Sequence, residues 1–165
     1  MKLLNKNNKG FIASAGFTLI ELLVVIGILG ILLAIVLIAI NPARQFAQAN
    51  NTARRSDVTT LLNAIHQYAA DNKGRLPTNM PVAADGAVEI RKNGGGLGDV
   101  CADISPTYVA SLPTDPTLNI PAVSDCASAY AIGYTVAVDA SGRVTVAAPG
   151  AEAVSGTTPV ISVSR

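Results

Sequence analysis

The sequence predicts an α+β chain, in which a long N-terminal helix packs on a small antiparallel sheet, and three features predict it. In the 24 residues from Phe17 to Ile40, only Thr18, Glu21, Gly27 and Gly30 fall outside the hydrophobic set. Further on, Val58, Leu61, Leu62, Ile65, Tyr68 and Ala69 recur every three or four residues, the spacing of one face of a helix. Last, Tyr130 to Val138 and Arg143 to Ala147 are rich in strand formers and flank Asp139-Ala140-Ser141-Gly142, whose turn chemistry suits a hairpin.

The apolar run comes first. As a helix it extends about 36 Å, enough to cross a hydrocarbon core of about 30 Å. The rest of the chain is about 44% hydrophobic, close to an ordinary globular composition. With 165 residues, the plan is one membrane segment and one soluble body. A hydrophobic content of 50% against 14% charged residues excludes a disordered polyelectrolyte. Twelve Lys and Arg against eleven Asp and Glu disfavour a basic nucleic-acid footprint.

Residues 1–16 hold Lys2, Lys6 and Lys9 and no acid, so the basic end should stay inside and the body should lie outside the membrane. Ala15-Gly16 precedes the apolar run, whereas the small residues of a secretory signal follow its apolar core. A cut at Gly16 therefore removes a basic leader and leaves the whole apolar helix, beginning at Phe17. Glu21 stands four residues on, about 6 Å along a helix. An unpaired acid at the centre of a bilayer is unfavourable by about 2.5–3.5 kcal/mol, and by less near the interface. Either Glu21 complements the positive helix end and reaches the headgroups, or it accepts the new terminal amine of a neighbouring copy.

The stretch Gly16-Phe17-Thr18-Leu19-Ile20-Glu21-Leu22-Leu23-Val24-Val25-Ile26-Gly27-Ile28-Leu29 closely resembles the processing and assembly motif of type IV pilins and of the pseudopilins of type II secretion systems. The resemblance implies cleavage by a prepilin peptidase between Gly16 and Phe17, N-methylation of Phe17, and a registering role for Glu21 when subunits assemble. Ala15 stands where the commonest family pattern has a basic residue. Gly10-Phe11 offers a second apparent junction, but five residues on lies Ala15 rather than an acid, so it is rejected. The implied organisation is a leader at 1–16, a transmembrane and filament-core helix at 17–42, and an extracytoplasmic head at 43–165. The implied partners are other pilin or pseudopilin subunits, prepilin peptidase, inner-membrane assembly machinery and membrane lipid. Before assembly the chain would cross the inner membrane once with its N-terminus in the cytoplasm, and afterwards lie in a periplasmic or cell-surface filament.

Within the head, the amphipathic helix should cover 43–72, with Pro42 as a boundary residue that loosens the helix. Its apolar stripe faces a sheet, and Arg44, Arg54, Arg55 and Asp57 are expected to be solvated or to meet adjacent subunits. Asn72-Lys73-Gly74-Arg75-Leu76-Pro77 supplies a glycine cap, basic residues for the negative helix end, and a proline stop. Thr78 to Pro121 reads as loop-rich, with a short strand at Ala87 to Arg91 and a flexible break at Gly94-Gly95-Gly96. Those glycines lack the Gly-Lys-Ser/Thr ending of a phosphate-binding loop. Leu112-Pro113-Thr114-Asp115-Pro116 is similar to the Leu-Pro-x-Asp-Pro segment of major pseudopilins and related pilins, without their aromatic-rich continuation. A last strand at Val160 to Ser164 completes a C-terminal sheet at 130–164.

Cys101 and Cys126 enclose 24 residues, a loop whose closure is worth about 3 kcal/mol on the chain-entropy model. A disulfide is expected, two unpaired thiols being the alternative. No CxxC or Cys/His metal pattern occurs, and His66, on the amphipathic helix, reads as a surface or packing residue. Asp115, Asp125 and Asp139 are calcium-ligand candidates by analogy with head-loop acids of some pseudopilins; ordinary loop acids are the competing reading. No nucleophile and base are paired. The chain therefore reads as a noncatalytic subunit of a pilus or pseudopilus, with a permanently anchored monomeric binding protein as the alternative.

Overall fold

The computed structural model describes residues 16–92 and 96–165. The leader lysines Lys2, Lys6 and Lys9, the Gly10-Phe11 junction, Ala15 and the Gly94-Gly95 part of the glycine break lie outside them. The chain divides into two units, Met1–Asn41 and Pro42–Arg165.

In the first unit, helix α1 spans Leu19–Ile40. It starts where Thr18, extended at φ −78° and ψ 151°, accepts the Glu21 N–H on its hydroxyl at 3.2 Å, the usual N-cap arrangement for threonine. It stops at Asn41, which is left-handed at φ 47°, a conformation asparagine tolerates better than most residues. The membrane half at 17–42 and the amphipathic half at 43–72 are thus two separate helices. The interruption falls at Asn41, and Pro42 opens the second, where its missing N–H has no helical partner to lose.

In the second unit, helix α2 spans Pro42–Asp71. It ends in a Schellman turn, with the Gly74 N–H donated to the Ala69 carbonyl at 2.7 Å. Lys73 and Gly74 are both left-handed, so the cap uses a lysine as well as the expected glycine. Four strands follow, β1 at Val88–Lys92, β2 at Tyr130–Val138, β3 at Val144–Ala147 and β4 at Ser162–Ser164. They form one antiparallel sheet in the order β1-β2-β3-β4. The β2–β3 turn is the one expected, closed by Gly142 at φ 81°.

The sheet is not confined to 130–164. Strand β1, from the loop-rich region, pairs with β2 across a bulge between Glu89 and Arg91, because Ile90 belongs to the same core as Ile132 and Val136. The same region also contains a short helix, α3, at Cys101–Ile104 and a 3-10 turn at Pro116–Leu118. Strand β2 alternates, with Tyr130, Ile132, Tyr134 and Val136 buried, the period-two pattern of a sheet with one covered face. Val58, Leu61, Leu62 and Ile65 of α2 are buried with them. At about 1.5–3 kcal/mol per fully buried large aliphatic side chain, this helix-on-sheet contact is the main apolar support of the head.

Cys101 and Cys126 form a disulfide, with Cα atoms 5.5 Å apart. The Tyr130 hydroxyl ties the same corner, accepting the Cys101 N–H at 3.2 Å and donating to Asp99 at 2.8 Å. Replacing both cysteines by alanine should lower the unfolding free energy of the detergent-solubilised chain by about 3 kcal/mol, read from urea unfolding. A loss below about 1 kcal/mol would mean that the tyrosine and the core already hold the loop.

Candidate functional site

The apolar N-terminal segment is exposed throughout. No residue of α1 is buried, and the helix is long and apolar enough to cross a membrane. Phe17, just ahead of it, is 77% exposed. Glu21 lies in the first turn and is the only charged residue between Phe17 and Ile40. Its acid complements the positive helix end, and its backbone N–H is taken up by Thr18. Gly16 and Phe17 are non-helical, which leaves their peptide bond outside the helical hydrogen-bond ladder.

The head has a second, polar construction that the sequence reading missed. Arg54, on the core side of α2, is fully buried. Its Nε and Nη2 donate to Asp115 Oδ2 and Oδ1 at 2.8 and 2.9 Å, a two-pronged match of guanidinium to carboxylate. Its Nη1 donates to Glu152 Oε2 at 2.8 Å and to Asn51 Oδ1 at 3.0 Å. Asn51 in turn donates to the Glu152 carbonyl at 2.7 Å and accepts the Glu152 N–H at 2.9 Å. Asn50 adds a bond to Glu152 Oε2 at 2.8 Å. One turn of α2 therefore holds both the 3-10 turn at Asp115 and the segment after β3.

Asp115 is positioned by its own local structure. It caps the 3-10 turn, accepting the N–H and the hydroxyl of Thr117 at 2.9 and 2.6 Å, and donates its own N–H to the Ile132 carbonyl at 2.9 Å. Two glycines make room for it. Gly133 is left-handed at φ 79°, and a Cβ there would stand 2.9 Å from the Asp115 Cβ. A Cβ on Gly150 would stand 2.8 Å from Asp115 Oδ2. Leu112-Pro113-Thr114-Asp115-Pro116 thus carries the carboxylate that meets the helix.

Burial pushes the Asp115 carboxyl up, but the bonds from Arg54 and Thr117 outweigh it and leave its pKa below the ordinary value. Glu152 is lowered by Arg54 and Asn50, and the bond to Asp115 raises Arg54 further. Asp57 moves the other way, raised by burial although Tyr134 donates its hydroxyl to it at 2.6 Å. Burial and this carboxylate together raise the Tyr134 phenol. The expectation that Arg54 and Asp57 are solvated or meet adjacent subunits is therefore corrected: Arg54 is buried against Asp115 and Glu152, and Asp57 is half-buried at Tyr134, because the core stripe of α2 begins before Val58. Arg55 is exposed as expected.

The three acids proposed as calcium ligands do not converge. Asp115 faces Arg54, Asp125 accepts from Ala127 and Ser128, and Asp139 accepts from Ser141 and Arg143 in the hairpin turn. Among the described residues no group of three or more His, Cys, Asp or Glu side chains could hold a metal ion. His66 is half-buried, and its Nε2 is buried without a hydrogen-bond partner.

Residues 13–37 match the model of the prokaryotic N-terminal methylation motif. The chain carries the type IV pilin and pseudopilin signature. Its α+β architecture is consistent with a pilin-like fold. The pilin motif implies processing by prepilin peptidase and other pilin subunits as partners, and with the apolar helix it fits a membrane-anchored pilin that becomes part of a filament. The motif family is structural, not enzymatic. No curated protein and no solved structure matches the chain.

Arg54→Ala should destabilise the head by about 3–5 kcal/mol, because it leaves buried Asp115 without its counter-charge. The double variant Arg54→Met/Asp115→Leu should recover a large part of that loss in the same denaturant titration. Asp115 and Glu152 both have folded pKa values below their ordinary ones, so their contribution is complete above the ordinary carboxylate range and declines as pH falls through the lowered folded values. Raised Asp57 works in the opposite sense, favouring the fold as it protonates. Acid unfolding should therefore steepen only at low pH, and Asp115→Asn should flatten that limb; an unchanged limb would remove the pair from the account.

Proposed function

We propose that this chain is a noncatalytic structural subunit of a type IV pilus or a type II secretion pseudopilus, polymerised through α1 after cleavage between Gly16 and Phe17. The observation that carries the reading is a 22-residue helix with no buried residue and a lone acid at its start. A helix that is apolar all round must be covered by lipid or by other apolar helices. In the bilayer lipid covers it, and in a filament the same helix from other copies does so.

Glu21 supplies the register in this reading. With the leader removed and Phe17 methylated, the terminal amine of one copy meets Glu21 of another, and the offset between copies is four residues, about 6 Å. Pairing removes the penalty of an isolated carboxylate among apolar groups, so only one axial alignment is favoured. The head remains outside the membrane, consistent with a disulfide that needs an oxidising compartment. Inner-membrane assembly machinery then acts on a single-pass precursor whose basic leader faced the cytoplasm.

Mass spectrometry of the native protein from membranes and from sheared surface material should find a mature chain beginning at methylated Phe17. Glu21→Ala should insert into the membrane as the parent does but lose incorporation into filaments. Recovery in sheared fibres would favour a pilus, and recovery only from the envelope a secretion role. A chain that keeps its leader and never associates would instead be an anchored monomeric binding protein.

A further inference from the structure

Two features sit on opposite flanks of the first turns of α2. Positions 46, 50, 53 and 57 share one flank by the helix repeat. The head covers that flank at Asn50, through Glu152, and at Asp57, through Tyr134. One turn earlier it is bare, and Phe46 is 70% exposed.

On the other flank is a recess of about 530 Å³. Gln48, Thr52 and Arg55 of α2 form one wall, and Val154, Thr157 and Pro159 form the other. At 100° per residue, Gln48, Thr52 and Arg55 lie roughly 180–240° around the helix from Phe46. The Arg55 side chain makes no hydrogen bond or ion pair among the described residues, so its guanidinium is available at the mouth of the recess.

We propose that Phe46 of one copy seats in this recess of the next, its ring over the Arg55 guanidinium and against Val154 and Pro159. The occupant fits the chemistry. A guanidinium is attracted to an aromatic face, and valine and proline offer the ring an apolar wall. The geometry fits a polymer, because a knob and a socket on opposite flanks make a head-to-tail contact that repeats instead of closing into a dimer.

The inference rests on the reading that copies polymerise through α1, and it extends that interface into α2. The contact fixes which flank of each head meets its neighbour.

The test uses the full chain in its native membrane. Phe46→Cys/Thr52→Cys should give a ladder of covalent multimers under non-reducing conditions, while either single variant stops at dimers. Moving the second cysteine to Asn63→Cys, three turns further along α2, should abolish the ladder. In parallel, Phe46→Ala and Arg55→Ala should lose filament yield at an unchanged unfolding midpoint in detergent, and Phe46→Tyr should retain it. Parent filaments without a Phe46–Thr52 ladder, or full assembly by Phe46→Ala, would overturn this contact and leave polymerisation through α1 standing. Absence of filaments from the unsubstituted chain would overturn both.

Discussion

The head depends on one buried cation. Arg54 sits on the core face of α2, and a guanidinium taken out of water there is stable only if its donors are occupied. Asp115 accepts two of them, and Glu152 and Asn51 accept the third nitrogen. The two carboxylates come from chain segments about 60 and 100 residues away. The pair therefore selects one arrangement of helix, 3-10 turn and post-β3 segment among those that apolar contact alone would allow. Apolar packing is tolerant of small shifts; a two-pronged ion pair flanked by Gly133 and Gly150 is not.

This division of labour leaves the buried core to the head, since no residue of α1 is buried. The head is held together by a compact sheet on α2, a disulfide at Cys101–Cys126, and the polar clasp near the start of α2. The clasp lies on the same turns of helix as Phe46 and the Arg55 recess. A rigid Asn50–Arg54 turn would hold that exposed knob and socket at a constant spacing, and a repeating contact requires such constancy.

Much of the fold was legible because it follows from local periodicity. The stripe from Val58 to Ala69, the alternation in Tyr130–Val138 and the turn at Asp139–Gly142 each declare an element within a few residues. The misses have different causes. Strand β1 was expected at Ala87 to Arg91 and stands at Val88–Lys92, but its partner β2 lies some forty residues on, so its place in the sheet has no local signature. Arg54 was assigned to solvent by residue type. Yet stepping back from Val58 by four and then three residues gives Arg54 and Asn51, and a further four gives Ala47, all buried. The spacing held the signal, and the charge concealed it.

By itself the sequence determined the apolar helix, the single acid at Glu21 within it, and the helix-plus-hairpin character of the head. Those properties depend on residues near one another along the chain, where hydropathy and spacing are read directly. Tertiary structure decided that β1 joins the sheet, that Cys101 reaches Cys126, and that Asp115 answers Arg54. Each of those depends on which distant groups meet, and a buried charge reveals its partner only once the chain has closed around it.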